Sequence, residues 1–354
     1  MRDVAARLAA GRGAIVRNQA FWGVIAIVAL LAINVAKDPS YLSIGYNDET
    51  GRLSGNLIDI LRAAAPILMI AVGMCLVVAT SGIDLSVGSI MVVAGAVSME
   101  LLSGMDGTAG NAAVTLAVAL GIATVLGAVN GVLVSVVGLQ PFISTLVMML
   151  AGRGIAKVIT GGQNTTADND SFAWLANGYV VGIPVVFLLA MAIVALVWLL
   201  VRRSALGLML EAIGMDSRAS RLAGVKRRTL LLTVYSASGL LAGIAGVFAT
   251  ASVMTVDVSR TGYQLELDAI LAVVIGGTSL AGGKFSIGGA VIGGLLIATL
   301  DKTVVFLGIP ASATPAFKAI VIVVLCLLQS ERVRSLFRHR RALRAQSQKE
   351  AVAA

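Results

Sequence analysis

Apolar residues fall into ten runs along the chain: 20–36, 57–80, 86–102, 112–137, 142–159, 183–201, 230–251, 268–279, 286–307 and 316–330. A helix needs about 20 predominantly apolar residues to cross a bilayer, and fewer if it is half-buried in a bundle. The pattern therefore predicts an all-α polytopic membrane protein with about ten transmembrane helices. Run 268–279 is too short for a full crossing unless its neighbours extend it, and it reads equally well as a half-helix.

The runs 57–80 and 86–102 meet at Ser81-Gly82-Ile83-Asp84-Leu85-Ser86-Val87-Gly88, where hydrophobicity breaks without a proper hydrophilic loop. Inside a membrane, irregular backbone is tolerated only where protein or a water-filled cavity satisfies its polar groups. This stretch reads as a helix break inside the bundle. Asp84 is then either a capping carboxylate for backbone N–H groups, the favoured role, or part of a pathway. Two hundred residues on, Ala281-Gly282-Gly283-Lys284-Phe285-Ser286-Ile287-Gly288 repeats the pattern. Gly82, Ser86 and Gly88 match Gly282, Ser286 and Gly288, and Asp84 falls opposite Lys284. The two copies form a weak parallel internal repeat. Breaks in corresponding positions of two halves point to a transporter pathway, here Ser81, Gly82, Asp84, Ser86 and Gly88 with Gly282, Gly283, Lys284 and Ser286.

Composition supports the membrane reading. Of 354 residues 58% are hydrophobic and 13% charged, against about 25% charged in a soluble domain. The charge of +9 does not signal nucleic acid, because the basic residues flank apolar runs. They gather before the first run (Arg2, Arg7, Arg12, Arg17), in 202–229, and after the tenth run. Basic loops stay cytoplasmic, and ten crossings put all three on that side. The organisation expected is a basic cytoplasmic segment 1–19, a membrane domain 20–330 with an inner loop 202–229, and a basic cytoplasmic tail 331–354. No cleavable signal peptide is expected, and 20–36 reads as the first span. In the outer loop 161–182, Trp174 and Tyr179 are interface anchors or a docking surface for an outside partner. Asp59 and Arg62, three apart, are expected to pair on one helix face.

Catalytic equipment is scarce. Gly282-Gly283-Lys284-Phe285 is a near miss for a phosphate loop, which needs an earlier glycine and Ser or Thr directly after the lysine. The chain is not its own ATPase. His339 is its one histidine, and Cys75 and Cys326 sit in apolar runs as buried hydrophobes, so neither a metal site nor a Ser/His/Asp set is expected. Asp59, Arg62, Arg153, Lys157, Glu266, Asp268, Asp301, Lys302 and Lys318 also fall in or near spans, most of them near span ends, where snorkelling or pairing is the default. Only Asp84 is a candidate for a mid-span titratable group.

In the inner loop, Leu206 to Gly214 reads as a short amphipathic helix and Arg218 to Gly224 as a second short turn or helix. This is a handle for a soluble partner or an interfacial segment on anionic lipid. Here a resemblance enters. Gly82-Ile83-Asp84-Leu85-Ser86-Val87-Gly88, Leu139-Gln140-Pro141-Phe142-Ile143-Ser144-Thr145-Leu146, Arg153-Gly154, Thr160-Gly161-Gly162-Gln163, Glu211-Ala212-Ile213-Gly214, Arg218-Ala219 and Glu266-Leu267-Asp268-Ala269-Ile270 through Gly276-Gly277-Thr278-Ser279-Leu280 resemble the ribose/xylose-type sugar ABC importer permeases. Within that family, Gly51-Arg52-Leu53, Asn56 to Leu61 and Leu265-Glu266-Leu267-Asp268 look most like permeases of galactofuranose importers.

The resemblance implies a non-catalytic subunit of a bacterial inner-membrane importer for a monosaccharide, galactofuranose or another pentose or hexose. Its partners would be a cytoplasmic ATPase that binds ATP and magnesium, a periplasmic sugar-binding protein, and a second permease copy or paralogue. No cofactor would belong to this chain. Gly207, Glu211, Ala212, Gly214 and Arg218 would lie in the loop that couples to the ATPase. No tight sugar site is expected, and no aromatic and acidic cluster fit to grip a sugar is visible. The rival reading is a stand-alone carrier driven by an ion gradient.

Overall fold

The computed structural model describes residues 19–47 and 52–329. The expected terminal segments, Gln19 apart, lie outside the described residues, as do Gly51, Ser330 and His339. In chain order the helices are α1 (Gln19–Lys37), α2 (Asn56–Ala79), α3 (Val87–Ser103), α4 (Ala109–Val132), α5 (Pro141–Ile159), α6 (Asp170–Asn177), α7 (Val185–Arg203), α8 (Leu206–Met215), α9 (Ser217–Leu222), α10 (Arg227–Val253), α11 (Leu265–Ile275), α12 (Ile287–Leu307) and α13 (Thr314–Gln329). Three short antiparallel ribbons pair 45–47 with 52–54, 165–166 with 255–256, and 179–180 with 183–184.

Each of the ten apolar runs contains a helix. Among the described residues seven helices are long and apolar enough to cross a membrane: α1, α2, α4 with its π-helical extension Leu133–Val137, α5, α7, α10 and α12. The other three runs give the shorter helices α3, α11 and α13. With 11 residues, α11 spans only about 16 Å, roughly half a hydrocarbon core. It is a half-helix.

Local sequence explains the boundaries. The π turn after α4 closes on Gly138, whose φ of +85° is open to glycine. Pro141 then starts α5 at the first position, where a missing N–H is not needed. Ser286 begins α12 by accepting the Gly289 N–H.

The centre belongs to α2 and α3. From Met69 to Ala79 no residue of α2 is more than slightly exposed, and α3 is buried from Val87 to Met99. Helices hydrophobic all round are those that others enclose, and here α10, α12, α5 and α7 do so. Small residues set the closest approaches, Gly239 of α10 against Gly127 of α4 and Gly293 of α12 against Ala272 of α11.

One expected pair does not form. Asp59 lies 3.9 Å from Lys302 on α12, while Arg62 donates to the Asn177 side-chain oxygen and, at 3.4 Å, to the Tyr179 hydroxyl. The cause is the end of α6 and the ribbon that follows it, which bring Asn177 and Tyr179 to Arg62. Lys318 of α13 ties two further helices, 2.8 Å from Asp268 on α11 and 2.7 Å from Asp301 on α12.

Candidate functional site

The break after α2 is a set of buried, mutually satisfied polar groups. Val77 and Val78 carbonyls accept from Thr80, Ser81 and Gly82, closing α2, and Ser81 takes a left-handed φ of +62°. Asp84 follows, fully buried. One of its oxygens accepts from the Ser86 N–H at 3.0 Å and from the Ser86 hydroxyl, and the other accepts from Ser238 on α10 at 2.8 Å. Ser86 in turn accepts from the Asn130 amide on α4 at 2.8 Å, and Ser144 on α5 donates to the Asn130 oxygen at 3.4 Å. A buried carboxylate costs several kcal/mol unless hydrogen-bonded, on the order of 1–3 kcal/mol per bond to a charged group. Here three donors meet it. Asp84 holds a single backbone N–H, that of Ser86, and its other ties run to hydroxyls, so it works more as a tether between α10, α4 and the break than as a helix cap.

Gly82 is buried under Tyr235 of α10; a Cβ there would lie 2.7 Å from the tyrosine oxygen. That hydroxyl is buried with no hydrogen-bond partner among the described residues. Gly88, in the first turn of α3, packs against Gly262 and the Glu266 carboxylate.

The second break, between α11 and α12, uses backbone instead. Gly277, Gly282 and Gly283 have φ of +92°, +89° and +79°. Ser279 donates to the Lys284 carbonyl at 2.9 Å, and the Thr278 hydroxyl accepts from the Ser286 N–H at 3.1 Å. Lys284 is exposed and does not approach buried Asp84. Their opposition in the repeat is one of position, not of pairing.

The two breaks meet the inner loop at one point. The Ser81 hydroxyl lies 2.9 Å from the carbonyls of both Gly214, in α8, and Ala281, in the second break. Gly283 donates to Ala79 at 3.0 Å. A Cβ on Gly214 would collide with the Ala79 carbonyl and the Gly283 nitrogen. The helix of the inner loop is thus keyed between the end of α2 and the turn before α12.

The other loop residues divide by exposure. Glu211 and Gly207 line a groove of about 380 Å³ with Trp198, Arg202, Phe285 and Ser286. Ala212 is half-buried, and the Arg218 side chain is exposed. Asp216 starts α9 by accepting the N–H groups of Ala219 and Arg218, which hold its carboxyl below the usual range. Sequence reasoning missed Leu208, Met215 and Leu222, apolar yet 74%, 75% and 91% exposed. It also missed Asn130 and Ser238, whose signal was present: lone polar residues inside apolar runs.

The comparisons with known proteins come to the same place. The family described as the permease component of branched-chain amino acid transport systems matches residues 56–328. The fructose import permease of Bifidobacterium longum is 51% identical over 341 residues, covering 94% of each chain. The galactofuranose transporter permease of Escherichia coli is 39% identical over 314 residues, covering 89% of this chain and 90% of its own, and the ribose import permease of that species 38% over 314, covering 87% and 92%. No solved structure matches the chain. The chain belongs to this permease family, among the permeases of sugar ABC importers, and is a multi-pass protein of the bacterial inner membrane.

Proposed function

We propose that the chain is the membrane subunit through which a monosaccharide enters the cell, driven by a separate cytoplasmic ATPase and fed by a periplasmic sugar-binding protein. Ten crossings with both ends cytoplasmic carry the path, and a second permease copy or paralogue completes it. The observation that carries this reading is the junction at Gly214. A push on α8 acts directly on the ends of α2 and the second break, because their backbones touch there. Closure of the ATPase would move both breaks together and open the path alternately to either side.

The surface of the inner loop suits a protein partner. Leu208, Met215 and Leu222 are bare, and Arg202, Arg203, Arg218, Arg221 and Lys226 of the same loop are exposed. Bare apolar side chains interspersed with charge suit a docking site. Glu211 would act from the groove beside it. As the relatives named above are permeases for fructose, galactofuranose and ribose, the cargo proposed here is a monosaccharide.

The test is recovery of the tagged full chain from detergent-solubilised membranes of its own host, with co-purifying proteins identified by mass spectrometry. An ABC ATPase is expected in the eluate. Leu208→Glu and Glu211→Arg are each expected to reduce its recovery about tenfold, with membrane insertion unchanged. Normal recovery and uptake in both variants would remove the inner loop from the contact. A chain recovered alone, where a control ABC complex survives, would favour an ion-driven carrier.

A further inference from the structure

Between α10 and α11 the chain does something costly in a membrane. The 27 residues of α10 measure about 40 Å, whereas the return through α11 measures about 16 Å. The difference is made up by 254–264, which is largely non-helical. This stretch runs along α3 toward the first break: Val256 packs at Gly95, and six residues later Gly262 packs on Gly88. Non-helical backbone at membrane depth is tolerated only where protein buries it or where it lines a water-filled cavity. Gly262 and Val258 are buried, but Ser259, Arg260 and Tyr263 are exposed.

Polar side chains gather at the bottom of this return. Arg153 lies on α5, 12 residues past Pro141 and six before Ile159, hence well inside a membrane-length helix rather than at its end. It donates to the Gly262 carbonyl at 3.0 Å, and its guanidinium lies 5.8 Å from the centre of the Tyr263 ring. Tyr263 is 62% exposed. Gln264, half-buried, holds a φ of +62°. Glu266 is only 9% exposed, yet its Oε2 has no hydrogen-bond partner among the described residues. Ionisable groups at such depth face bundle interiors or pathways and are seldom incidental.

We propose that Arg153, Tyr263 and Gln264 form a water-facing station in the transport path that receives the hydroxyl groups of the passing sugar, with Glu266 buried behind them against Gly88. This rests on the sugar-importer reading. The Tyr263 ring supplies a flat face for sugar C–H groups. The Gln264 side-chain oxygen accepts hydroxyl protons, and Arg153 and the Gln264 amide nitrogen donate to sugar oxygens. Few donors and acceptors, set on an open face, suit a site that must release its cargo. The second permease would close the path over the exposed side of Tyr263 and Leu267.

The test uses the full chain in its host membranes with its partners present. Tyr263→Cys and Leu267→Cys are treated with a charged, membrane-impermeant methanethiosulfonate. Val28→Cys and Val125→Cys, on exposed apolar faces of α1 and α4, are the controls, and the unsubstituted chain with Cys75 and Cys326 is the blank. Tyr263→Cys is expected to label at least tenfold faster than both controls, and excess fructose or ribose to slow it about threefold. Labelling no faster than the controls would overturn the station. In uptake assays Tyr263→Ala and Gln264→Gly are expected to lose about tenfold and Tyr263→Phe less, with ATPase recovery unchanged; full uptake in both of the first two would also overturn it. Fast labelling in a chain that recovers no ATPase and that no sugar protects would instead sink the importer reading, and the sugar assignment with it, while leaving a water-lined path.

Discussion

The two helix breaks stand at equivalent positions of a repeat and are held by opposite means. The first is fastened by side chains. Asp84, Ser86, Ser238 and Asn130 bond to one another out of solvent, across α10 and α4. The second is fastened by its backbone, with glycines in left-handed geometry, an exposed lysine, and a threonine and a serine bonding within the turn. A buried polar network has few arrangements that satisfy every member, so it resists change. A glycine turn has many conformations within reach. The contrast makes the first break the fixed point and the second the part free to follow α8, with Gly214 touching both.

That assignment is easiest to break at Asp84. Asp84→Ala would strand the Ser86 N–H and two buried hydroxyls, a loss of about 3 kcal/mol or more. The expected result is a severe drop in monodisperse protein by size-exclusion chromatography, with no change of sugar preference in what survives. Asp84→Asn keeps an acceptor for part of the network and should recover part of the yield. A stable Asp84→Ala protein with altered selectivity would make the first break a substrate site instead.

Gly214→Ala comes next. The added methyl has no room against Ala79 and Gly283, so backbone must shift, at about 1–3 kcal/mol for an overpacked site. Thermal unfolding in detergent should show a lower midpoint, and ATPase activity should become less responsive to the binding protein and sugar. An unchanged midpoint would mean that α8 is not keyed between the breaks.

Much of this was legible beforehand because hydrophobicity is the dominant signal in a membrane chain. The ten apolar runs are the ten long or half-length helices, and the short run 268–279 gave the half-helix α11. The loop helix from Leu206 and the helix starting at Ser217 were readable from small residues and charge. Partners in three dimensions were not. Arg62 turned from Asp59 to Asn177 and Tyr179 because the end of α6 and the ribbon after it bring those acceptors to α2, a contact 115 residues away that no helix periodicity encodes. Asp84 read as a cap because sequence shows only neighbours, whereas Ser238 lies 154 residues on. The partner of Arg153, the Gly262 carbonyl 109 residues on, lies in the non-helical stretch 254–264, which has too little hydrophobic signal to be seen.

The smallest expected effect is the sharpest test of the contrast. Lys284 is the residue that the repeat sets opposite Asp84, and a functional ion pair or relay between the halves would need it. In the structure its ammonium has no hydrogen bond or ion pair among the described residues, and the turn is closed by its main chain: the carbonyl accepts from Ser279 and the N–H donates to Gly282 at 3.1 Å. Removing the side chain leaves those bonds in place. Lys284→Ala should therefore shift stability by no more than about 0.5 kcal/mol, as surface substitutions do, with the unfolding midpoint and sugar uptake close to those of the parent. Lys284→Pro, by contrast, removes the N–H that closes the turn and should uncouple uptake from the ATPase. If Lys284→Ala abolished transport while Lys284→Arg kept it, the lysine side chain would be acting in the path, and the distinction between a side-chain break and a backbone break would fall.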